Sequence, residues 1–369
     1  METVVEVRTR EEASSLQSAW RELAEVTPQA NFFQSWDWLT TYADFLPATS
    51  SLRIYAVVEG ERVVGIFPMV LCEEHRRVGT MRVLTPALDS WGTLFTPLGH
   101  DPQQVLTSVL RHLRNQQRDW SILSLRWLDE RNGRMDVDRA LDEAGWRYLI
   151  AKEHRGVLVD CRRDWEQYWR SRPKKWRHNL ERLSRKLARE LGEPRFCRWR
   201  GVVTEPDRSQ IWQSCQQVAR ASWQAEAEKG VPLCDPSHLP FLEALHHTAA
   251  QHGYLDVTMM FVDQRPVAFG YNLVFQGRVT GFRVGYDQQF RSYGVGMQLA
   301  RFTLEDSFRR GDEWFDFGID YLGYKKHLET HEYVTREYEH YSAWSLRSQL
   351  LRCKHAIDSW WSPAEQSLT

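Results

Sequence analysis

One segment in the second half of the chain carries the strongest structural signal. It reads Arg278-Val-Thr-Gly-Phe-Arg-Val-Gly-Tyr286, then Asp287-Gln-Gln-Phe-Arg-Ser-Tyr-Gly-Val-Gly296, and then Met297-Gln-Leu-Ala-Arg-Phe-Thr-Leu-Glu-Asp-Ser-Phe308. The pattern predicts a strand, a short loop and a helix in that order. Glycines at the junction allow the backbone to approach a ligand closely.

The loop carries the spacing Arg291-x-x-Gly294-x-Gly296 where the helix begins. The first N–H groups of a helix have no partner within the helix, and the helix dipole favours negative charge there. Arg291 can add a charge-assisted hydrogen bond. The spacing matches neither the dinucleotide pattern G-x-G-x-x-G nor a phosphate loop ending in G-K-[S/T]. It predicts an anion site for a diphosphate, or a plain tight turn.

The flanking sequence predicts further strands and helices in alternation. Residues 313–317 should form a strand that diverges from strand 278–286 and opens a V-shaped cleft. A strand–turn–strand pattern at 256–275 matches one at 52–67, so two related α/β units are the economical interpretation. The other predicted strands are 81–85, 91–96, 121–126, 146–150 and a pair at 332–344; the predicted helices are 16–24, 102–118, 136–145, 165–191, 207–225, 238–251, an early helix with Ser35 as N-cap, and one after Gly318.

Residues 162–200 differ from the rest of the chain in charge. They contain 14 Lys and Arg residues against five acids, whereas the whole chain has a net charge of −1. Leu180, Leu183, Leu187 and Leu191 form one apolar stripe on this basic helix. The basic face could bind a nucleic acid through phosphate attraction and base stacking on its tryptophans. Alternatively, the face is solvated and the stripe packs on the lobes.

Composition excludes several classes of protein. The hydrophobic content of 42%, with 21 Gly and 14 Pro residues, is that of a folded chain. No apolar run reaches the roughly 20 residues of a membrane-spanning helix, and the mixed, acidic start predicts no secretory signal. Six cysteines without a C-x-x-C pair predict a reduced, cytoplasmic protein. His246, His247 and His252 lack metal-site spacing, so we expect surface histidines and no metal.

The tail, residues 345–361, is amphipathic and ends in paired tryptophans. A helix of this kind suits a membrane interface or docking on a domain. The inner membrane surface is therefore an alternative location to the open cytoplasm.

In motif and in order of elements, the chain resembles the GNAT acyltransferase superfamily. The signature [R/Q]-x-x-G-x-[G/A] of that superfamily is matched by Arg291, Gly294 and Gly296. The order of elements resembles the CelD-like acetyltransferase domain and the Fem-type aminoacyl transferases, which carry two GNAT-like lobes in one chain. The shared features are Phe33-x-Ser35-x-x-Trp38, the basic Lys174-Lys-Trp-Arg-His-Asn-Leu-Glu-Arg-Leu, and Asp316-Phe-Gly318 followed by Tyr324-Lys325.

The resemblance covers about residues 30–345 and implies an α/β (α+β) fold. Each of two GNAT-like lobes should be a mixed, largely antiparallel sheet flanked by helices. We expect an N-terminal lobe over 1–155, a basic helical segment over 156–255 leading into the second lobe, a C-terminal lobe with the acyl-CoA motif over 256–345, and an amphipathic helix over 346–369.

The resemblance also implies an N-acyltransferase that uses acetyl-CoA or a longer acyl-CoA. The acceptor would be an amine on a sugar, a lipid or a small molecule, as in polysaccharide or lipid biosynthesis in bacteria. Fem-type relatives use aminoacyl-tRNA instead, which is the alternative donor. The residues predicted to bind the cofactor are Val284, Gly285, Arg291, Ser292, Tyr293, Gly294, Val295 and Gly296.

Transfer to an amine sets three tasks. An amine with a pKa of about 10 must lose a proton, the thioester carbonyl must be polarised by a backbone N–H, and the thiolate benefits from a proton donor. Asp316 and Asp320 are the candidate bases, and Tyr324 is the candidate acid. Lys325 matches a lysine that Fem-type relatives use near the acyl group. The alternatives are structural roles for both aspartates and Tyr324, and a phosphate-binding or exposed Lys325.

Overall fold

The computed structural model describes residues 2–88, 91–92, 94–222, 232–319, 323–343 and 345–361. The chain divides into two compact units, the first formed by residues 1–154 and 334–369 and the second by residues 155–333. Both contain a largely antiparallel sheet with helices. The predicted α/β fold with two lobes is confirmed.

The division of the chain differs from the predicted boundaries in two places. Residues 156–255, expected to form a separate helical segment, belong to the second unit together with 256–333. Residues 334–345, expected in the second lobe, belong to the first unit, as does the described part of the tail.

The helices and strands have the following bounds. The helices are α1 (Arg10–Ser14), α2 (Gln17–Val26), α3 (Trp36–Asp44), α4 (Pro102–Asn115), α5 (Val137–Glu143), α6 (Trp165–Ser171), α7 (Lys174–Leu191), α8 (Asp207–Arg220), α9 (Leu239–Gln251), α10 (Val295–Arg310) and α11 (Leu346–Trp361). The strands are β1 (Glu2–Val7), β2 (Ser51–Glu59), β3 (Arg62–Arg76), β4 (Gly79–Pro86), β5 (Leu98–Gly99), β6 (Ile122–Leu125), β7 (Leu149–Asp160), β8 (Arg195–Gly201), β9 (Leu255–Val262), β10 (Arg265–Phe275), β11 (Arg278–Tyr286), β12 (Trp314–Ile319) and β13 (His331–Tyr341). Short 3₁₀ segments lie at Phe32–Gln34, Arg131–Gly133, Gln288–Tyr293 and Lys325–His327. None of the described helices is long and apolar enough to span a bilayer.

The sheet of the first unit has the strand order β1-β2-β3-β4-β6-β13. Neighbouring strands are antiparallel except β4 and β6, which run parallel. Aromatic side chains fill its core, and Ser35 caps α3 as predicted by accepting a hydrogen bond from the Trp38 N–H. The Trp38 indole in turn donates to the carbonyl of Ala87 at 2.9 Å.

The sheet of the second unit has the order β7-β12-β11-β10-β9-β8. Only β11 and β12 are parallel. Successive residues of β10 point to opposite faces: Leu299 of α10 lies beside Gly270, and His246 of α9 lies beside Tyr271. The sheet is therefore covered by α10 on one face and by α9 on the other.

The apolar stripe of α7 packs into the core of the second unit. Leu180 joins a cluster with Val279 and Leu304, and Leu187 joins one with Val295. Leu183 is buried, and Leu191 at the end of the helix is 40% exposed. The interpretation of a packed stripe holds for the first three leucines.

A buried charge network fixes α10 to the sheet. The guanidinium of Arg198 on β8 makes two hydrogen bonds to Asp256 on β9, at 2.7 and 2.6 Å. It also donates to the carbonyl of Thr303 at 2.8 Å and to the hydroxyl of Ser307 at 2.9 Å, both on α10. The side chain of Arg198 thus connects α10, the helix that carries the glycine motif, to strands β8 and β9.

Several predicted elements differ from the structure. The predicted helix 165–191 is two helices, because Pro173 lacks an N–H and restricts the residue before it. Residues 91–96 form no strand in their described part: Phe95 makes one isolated bridge to Leu128. Within the described residues, the pair predicted at 332–344 is the single strand β13, and the stretch predicted as a helix after Gly318 contains the 3₁₀ turn Lys325–His327; residues 320–322 lie outside the description.

Candidate functional site

The parallel pairing of β11 with β12 ends abruptly. The ladder joins Arg278 to Trp314, Val279 to Phe315 and Thr280 to Asp316, although both strands continue. A register shift between β10 and β11 leaves Phe282 as a bulge directly after this point. If β11 and β12 diverge as predicted, their ladder must end before the strands do, and it ends at Thr280 and Asp316.

Gly294 opens α10 in a conformation that glycine adopts without strain. Its φ and ψ are 65° and 34°, and it is the N-cap of α10 without any side-chain hydrogen bond. A β-carbon at this position would also lie 2.9 Å from Cδ1 of Leu183 on α7. The helix start therefore presents backbone N–H groups without a capping side chain.

Gly296 brings the start of α10 to the end of β11. A β-carbon on Gly296 would lie 3.3 Å from the ring of Tyr286. Between them, the buried carboxylate of Asp287 accepts a hydrogen bond from the Gln289 N–H at 2.9 Å and holds the 3₁₀ turn. The strand end, the turn and the helix start are therefore close together, and the predicted anion site at this helix start stays a prediction.

The predicted cofactor-binding residues of this turn differ in exposure. Arg291 and Ser292 are exposed, whereas Val295 is buried in the core. The hydroxyl of Tyr293 donates to Glu190 on α7 at 3.1 Å. Arg291 is thus accessible at this turn, and its contact with an anion stays a prediction.

On β11, the predicted pair Val284 and Gly285 face opposite sides. Val284 is 43% exposed, while a β-carbon on Gly285 would lie 2.5 Å from the ring of Phe269. The neighbouring guanidinium of Arg283 lies 4.3 Å from the Phe282 ring and donates to the Phe282 carbonyl. Burial lowers the pKa of Arg283 to about 10, so the side chain stays cationic at neutral pH.

Asp316 is buried and anchored. Its Oδ1 accepts hydrogen bonds from the Gly318 N–H at 2.7 Å and from the Tyr333 hydroxyl at 3.0 Å. Gly156 makes room for Tyr333, because a β-carbon there would collide with the phenol ring. These contacts match the structural alternative for Asp316, and its role as a base stays a prediction.

Tyr324 lies on the other side of β12. Its side chain packs against the buried cluster that contains Phe315. Phe317, Met297 and Ala300 pack against the same cluster. Because side chains alternate along a strand, Asp316 points away from that cluster. Burial raises the pKa of Tyr324 to about 12, which keeps the phenol protonated.

Lys325 is buried, and its ammonium donates to the carbonyl of Ile319 at 2.7 Å. This contact joins the 3₁₀ turn Lys325–His327 to the last residue of β12. Asp320, the other candidate base, lies outside the described residues. The structure thus places Tyr324 against the cluster that contains Phe315 and Leu304, and Asp316 on the opposite face of β12.

The first unit contains matching elements without the matching opening. Its helix α4 lies between the parallel strands β4 and β6 in sequence, as α10 lies between β11 and β12. However, α4 begins at Asp101, whose carboxylate accepts a hydrogen bond from the Gln104 N–H at 3.1 Å. A carboxylate at a helix start repels phosphate, so the candidate anion site belongs to the second unit.

The sequence did not predict the burial of His246 or the close group of three acids in the first unit. His246 is buried rather than exposed, because its ring nitrogens contact the Tyr271 hydroxyl and the Arg208 carbonyl at 3.0 Å each. In the first unit, Glu130, Asp136 and Asp138 lie within 4.8 Å of one another. These acids have structural partners in the Arg139 N–H and the Tyr338 hydroxyl.

Sequence reasoning missed Tyr333, Gly156 and Lys186 as residues of this region. Tyr333 and Gly156 act only through the tertiary contact with Asp316, which no local pattern reveals. Lys186 lies on α7, and its ammonium is 4.7 Å from the centre of the Tyr293 ring. Its spacing of three residues from Leu183 was the available signal, since that places both on neighbouring parts of one helix face.

Comparison with known proteins gives one family match. Residues 174–326, from α7 to the turn after β12, match the family model described as the acetyltransferase (GNAT) domain. No curated protein sequence matches the chain significantly.

Solved structures with the same fold include two that match over nearly the whole chain. FemX is 11% identical with a TM-score of 0.62, and the match covers 95% of this chain and 100% of FemX. A tandem GNAT protein from the clavulanic acid biosynthesis pathway is 13% identical with a TM-score of 0.50, covering 93% of this chain and 100% of that protein.

Proposed function

We propose that this chain, in which residues 174–326 match the acetyltransferase (GNAT) domain and whose two-lobed fold is similar to that of FemX, is an acyltransferase that uses acyl-CoA to acylate an amine. Acetyl-CoA is the simplest donor. The acceptor amine would belong to a sugar, a lipid or a small molecule.

The observation that carries this proposal is the uncapped start of α10. Gly294 provides a left-handed N-cap without a side chain, and Gly296 leaves the first turn open toward Tyr286. Backbone N–H groups at such a helix start bind a diphosphate, with Arg291 as an additional cation. The carrier would extend from there toward the point where the described ladder between β11 and β12 ends, at Thr280 and Asp316.

The remaining residues suit the chemistry of transfer. Backbone N–H groups of Val284 and Gly285 are candidates to polarise the thioester carbonyl. Tyr324 stays the candidate proton donor to the leaving thiolate, and burial keeps its phenol protonated at neutral pH. Asp320 remains the candidate base, and Lys325 remains a candidate residue near the acyl group.

A pair of substitutions at one position tests the anion site. Gly296→Ala adds only a methyl group, whereas Gly296→Asp adds a negative charge that stabilises a helix start but repels a diphosphate. We expect calorimetry to show acetyl-CoA binding by the wild type and by Gly296→Ala. Gly296→Asp should weaken binding at least about tenfold, or about 1.4 kcal/mol, without a loss of thermal stability. Equal binding by both variants, or no binding by the wild type, would refute the proposal.

An acceptor screen tests the reaction itself. Release of the free CoA thiol should rise only in the presence of an accepted amine, so amino sugars, amino lipids and small diamines can be compared with their hydroxyl analogues. Stimulation by hydroxyl analogues alone would exclude N-acyl transfer.

The alternative is a Fem-type enzyme that takes its acyl group from aminoacyl-tRNA. It is favoured by the exposed basic face of α7, where Arg182 and Arg185 make no ion pair with a described acid. Phosphate binding by such residues falls steeply with salt. Salt-sensitive tRNA binding that disappears in Arg182→Glu/Arg185→Glu, together with no binding of acyl-CoA, would establish this alternative.

Contact with a membrane surface is a separate proposal for the tail. In α11, Leu346 and Leu350 are 85% and 63% exposed, while Leu351 packs with Met81, Val83 and Ile122 in the first unit. One side of the first turns of α11 therefore packs on the first unit, and the other side exposes apolar side chains to solvent. Co-sedimentation with anionic vesicles that is lost in Leu346→Glu/Leu350→Glu would support the contact, and no co-sedimentation of the wild type would exclude it.

A further inference from the structure

A cluster of tryptophans in the second unit contains two buried hydrogen-bond donors that lack an acceptor among the described residues. Resting on the proposed function, we propose that Arg301 and the indole of Trp176 bind a carboxylate of the acceptor. The acceptor is then a molecule of the amino-acid type, which carries an amine and a carboxylate together.

The first argument is the way in which the guanidinium is held. The guanidinium carbon of Arg301 lies 4.9 Å from the centre of the Trp169 ring, and Trp165 stacks on Trp169 at 5.4 Å. An arginine on an aromatic face keeps its planar fork of donors in a fixed place. On the same face of α10, Leu304 belongs to this cluster and Met297 packs against it. Arg301 is therefore fixed against the tryptophans, not free in solvent.

The second argument is that two donors of this cluster have no partner. The Nε atom of Arg301 and the Nε1 atom of Trp176 are buried, and neither forms a hydrogen bond within the part of the chain that the structure describes. The Trp176 side chain belongs to a residue that is only 9% exposed, and its ring lies 5.5 Å from that of Trp169. Native proteins rarely leave a buried donor without an acceptor, because this destabilises the fold. Two such donors beside one ring point to a ligand that supplies oxygen acceptors.

The third argument concerns the charge of the ligand. No described acid forms an ion pair with the half-buried Arg301, whereas the exposed Arg309 and Arg310 of the same helix pair with Glu305 and Asp306. The fork of a guanidinium matches the two oxygens of a carboxylate. One cation balances one negative charge, while a phosphate monoester carries about −1.5 to −2. A carboxylate is therefore the anion that this site fits.

The site also lies beside the turn that carries the candidate proton donor. The ring of Trp176 is 5.5 Å from that of His327, which ends the 3₁₀ turn directly after Tyr324. Tyr324 itself packs against the cluster that contains Trp169 and Trp176. A carboxylate bound there keeps the amine of the same molecule near Tyr324. In the transfer, the acyl C–S bond breaks, a C–N bond forms and one proton passes from the neutral amine to the thiolate, while the carboxylate is unchanged.

The test compares acceptors that differ in the carboxylate alone. Glycine, L-lysine and glycylglycine are each offered with acetyl-CoA beside the matching carboxamide, and 2-aminoethyl phosphate represents amines that carry a phosphate. We expect kcat/KM for release of the CoA thiol to be at least about tenfold higher with an acid than with its carboxamide, the value of one charge-assisted hydrogen bond. Calorimetry in the presence of coenzyme A should show the same preference in binding.

Variants assign the preference to the two donors. Arg301→Met keeps an apolar stem and removes the charge, so the ratio of acid to carboxamide should fall about tenfold, toward one. Arg301→Lys keeps the charge without the fork and should retain part of the preference, and Trp176→Phe should lower it a few-fold. Each preference is a ratio measured on one sample, so a partly unfolded variant still reports it. Arg309→Met, at an exposed position of the same helix, is the matched control and should keep the wild-type ratio.

The outcomes separate this inference from the proposed function. Carboxamides accepted as well as the acids, a preference for 2-aminoethyl phosphate, or an unchanged ratio in Arg301→Met would each overturn the inference. If acetyl-CoA binds but no acid of the panel binds or reacts, the inference fails while the proposed function stands. If the wild type does not bind acetyl-CoA, the proposed function itself fails.

Discussion

The hydroxyl of Tyr333 donates a hydrogen bond to Oδ1 of Asp316 at 3.0 Å, in a space that Gly156 leaves open. The same oxygen accepts the Gly318 N–H at 2.7 Å. Asp316 therefore fixes the backbone at the end of β12, where Gly318 has a φ of 73°. A carboxylate in this arrangement anchors the strand end.

The first prediction distinguishes an anchor from a general base. Asp316→Asn keeps Oδ1 as an acceptor for both hydrogen bonds but cannot take up a proton. An anchor predicts near wild-type stability and acyl transfer within a few-fold, whereas a base predicts a loss of about a hundredfold or more. Thiol-release kinetics and urea unfolding of this variant measure both quantities.

Asp316→Ala provides the matched control. It removes the acceptor from a buried N–H and a buried hydroxyl, which costs about 1–3 kcal/mol of unfolding free energy. Full stability in Asp316→Ala would contradict the anchoring role.

The second prediction concerns Tyr324 and pH. Burial raises the pKa of its phenol to about 12, above the ordinary value of 10. The neutral form is thus favoured in the folded protein: this contribution is complete below pH 10 and is lost as the pH rises through about 12. We expect no alkaline decline of the transfer rate from Tyr324 below about pH 11.

Tyr324→Phe shows whether the phenol acts in transfer. Removal of a general acid lowers the rate by about a hundredfold, and binding of coenzyme A should be unaffected. An unchanged rate in Tyr324→Phe would leave Tyr324 a packing residue only.

The parts of the site that the sequence could predict are those set by local chemistry. Gly294 and Gly296 were identified because a strand followed by a helix needs a flexible, open junction, and Ser35 because an N-cap acts within three residues. Tyr333 contacts Asp316 from another strand, β13, and no local spacing encodes that contact. Lys186 was read only as one of many basic residues, since its neighbour Tyr293 is more than a hundred positions away.

The fold shows the same limit. The alternation of β9, β10, β11, α10 and β12 follows from hydrophobic periodicity, and all five were predicted. The two strands expected at 332–344 are one strand, β13, which pairs with β6. The sequence pattern indicates that a segment is extended, but it does not indicate which other strand the segment pairs with. Burial of His246 was missed for a related reason: its partners Tyr271 and Arg208 come from other elements.

The third prediction is an acid-sensitive contribution from His246. Burial lowers the pKa of this histidine to about 4, below the ordinary value of 6.5. Between these values the unfolded chain binds a proton that the folded chain does not, so stability is complete above pH 6.5 and falls as the pH drops toward 4. The full contribution is about 3 kcal/mol by conversion of the shift.

Urea midpoints measured between pH 4 and pH 7 check this dependence. His246→Gln should flatten the slope without abolishing it, because burial also lowers the pKa of His340 in the first unit to about 4. A slope identical to that of the wild type would mean that His246 is not the titrating group.

The fourth prediction concerns the arginine that holds α10. The side chain of Arg198 is 2% exposed and that of its partner Asp256 is 0% exposed. Arg198→Met removes the positive charge that pairs with the Asp256 carboxylate. It also removes the hydrogen bonds that Arg198 donates to the Thr303 carbonyl and the Ser307 hydroxyl. Breaking a buried pair from one side costs about 3–5 kcal/mol, and urea unfolding should show a loss of this size. The double variant Arg198→Met/Asp256→Asn removes the charge left behind, so it should recover part of the stability. If the double variant is no more stable than Arg198→Met, packing rather than charge fixes the helix to the sheet.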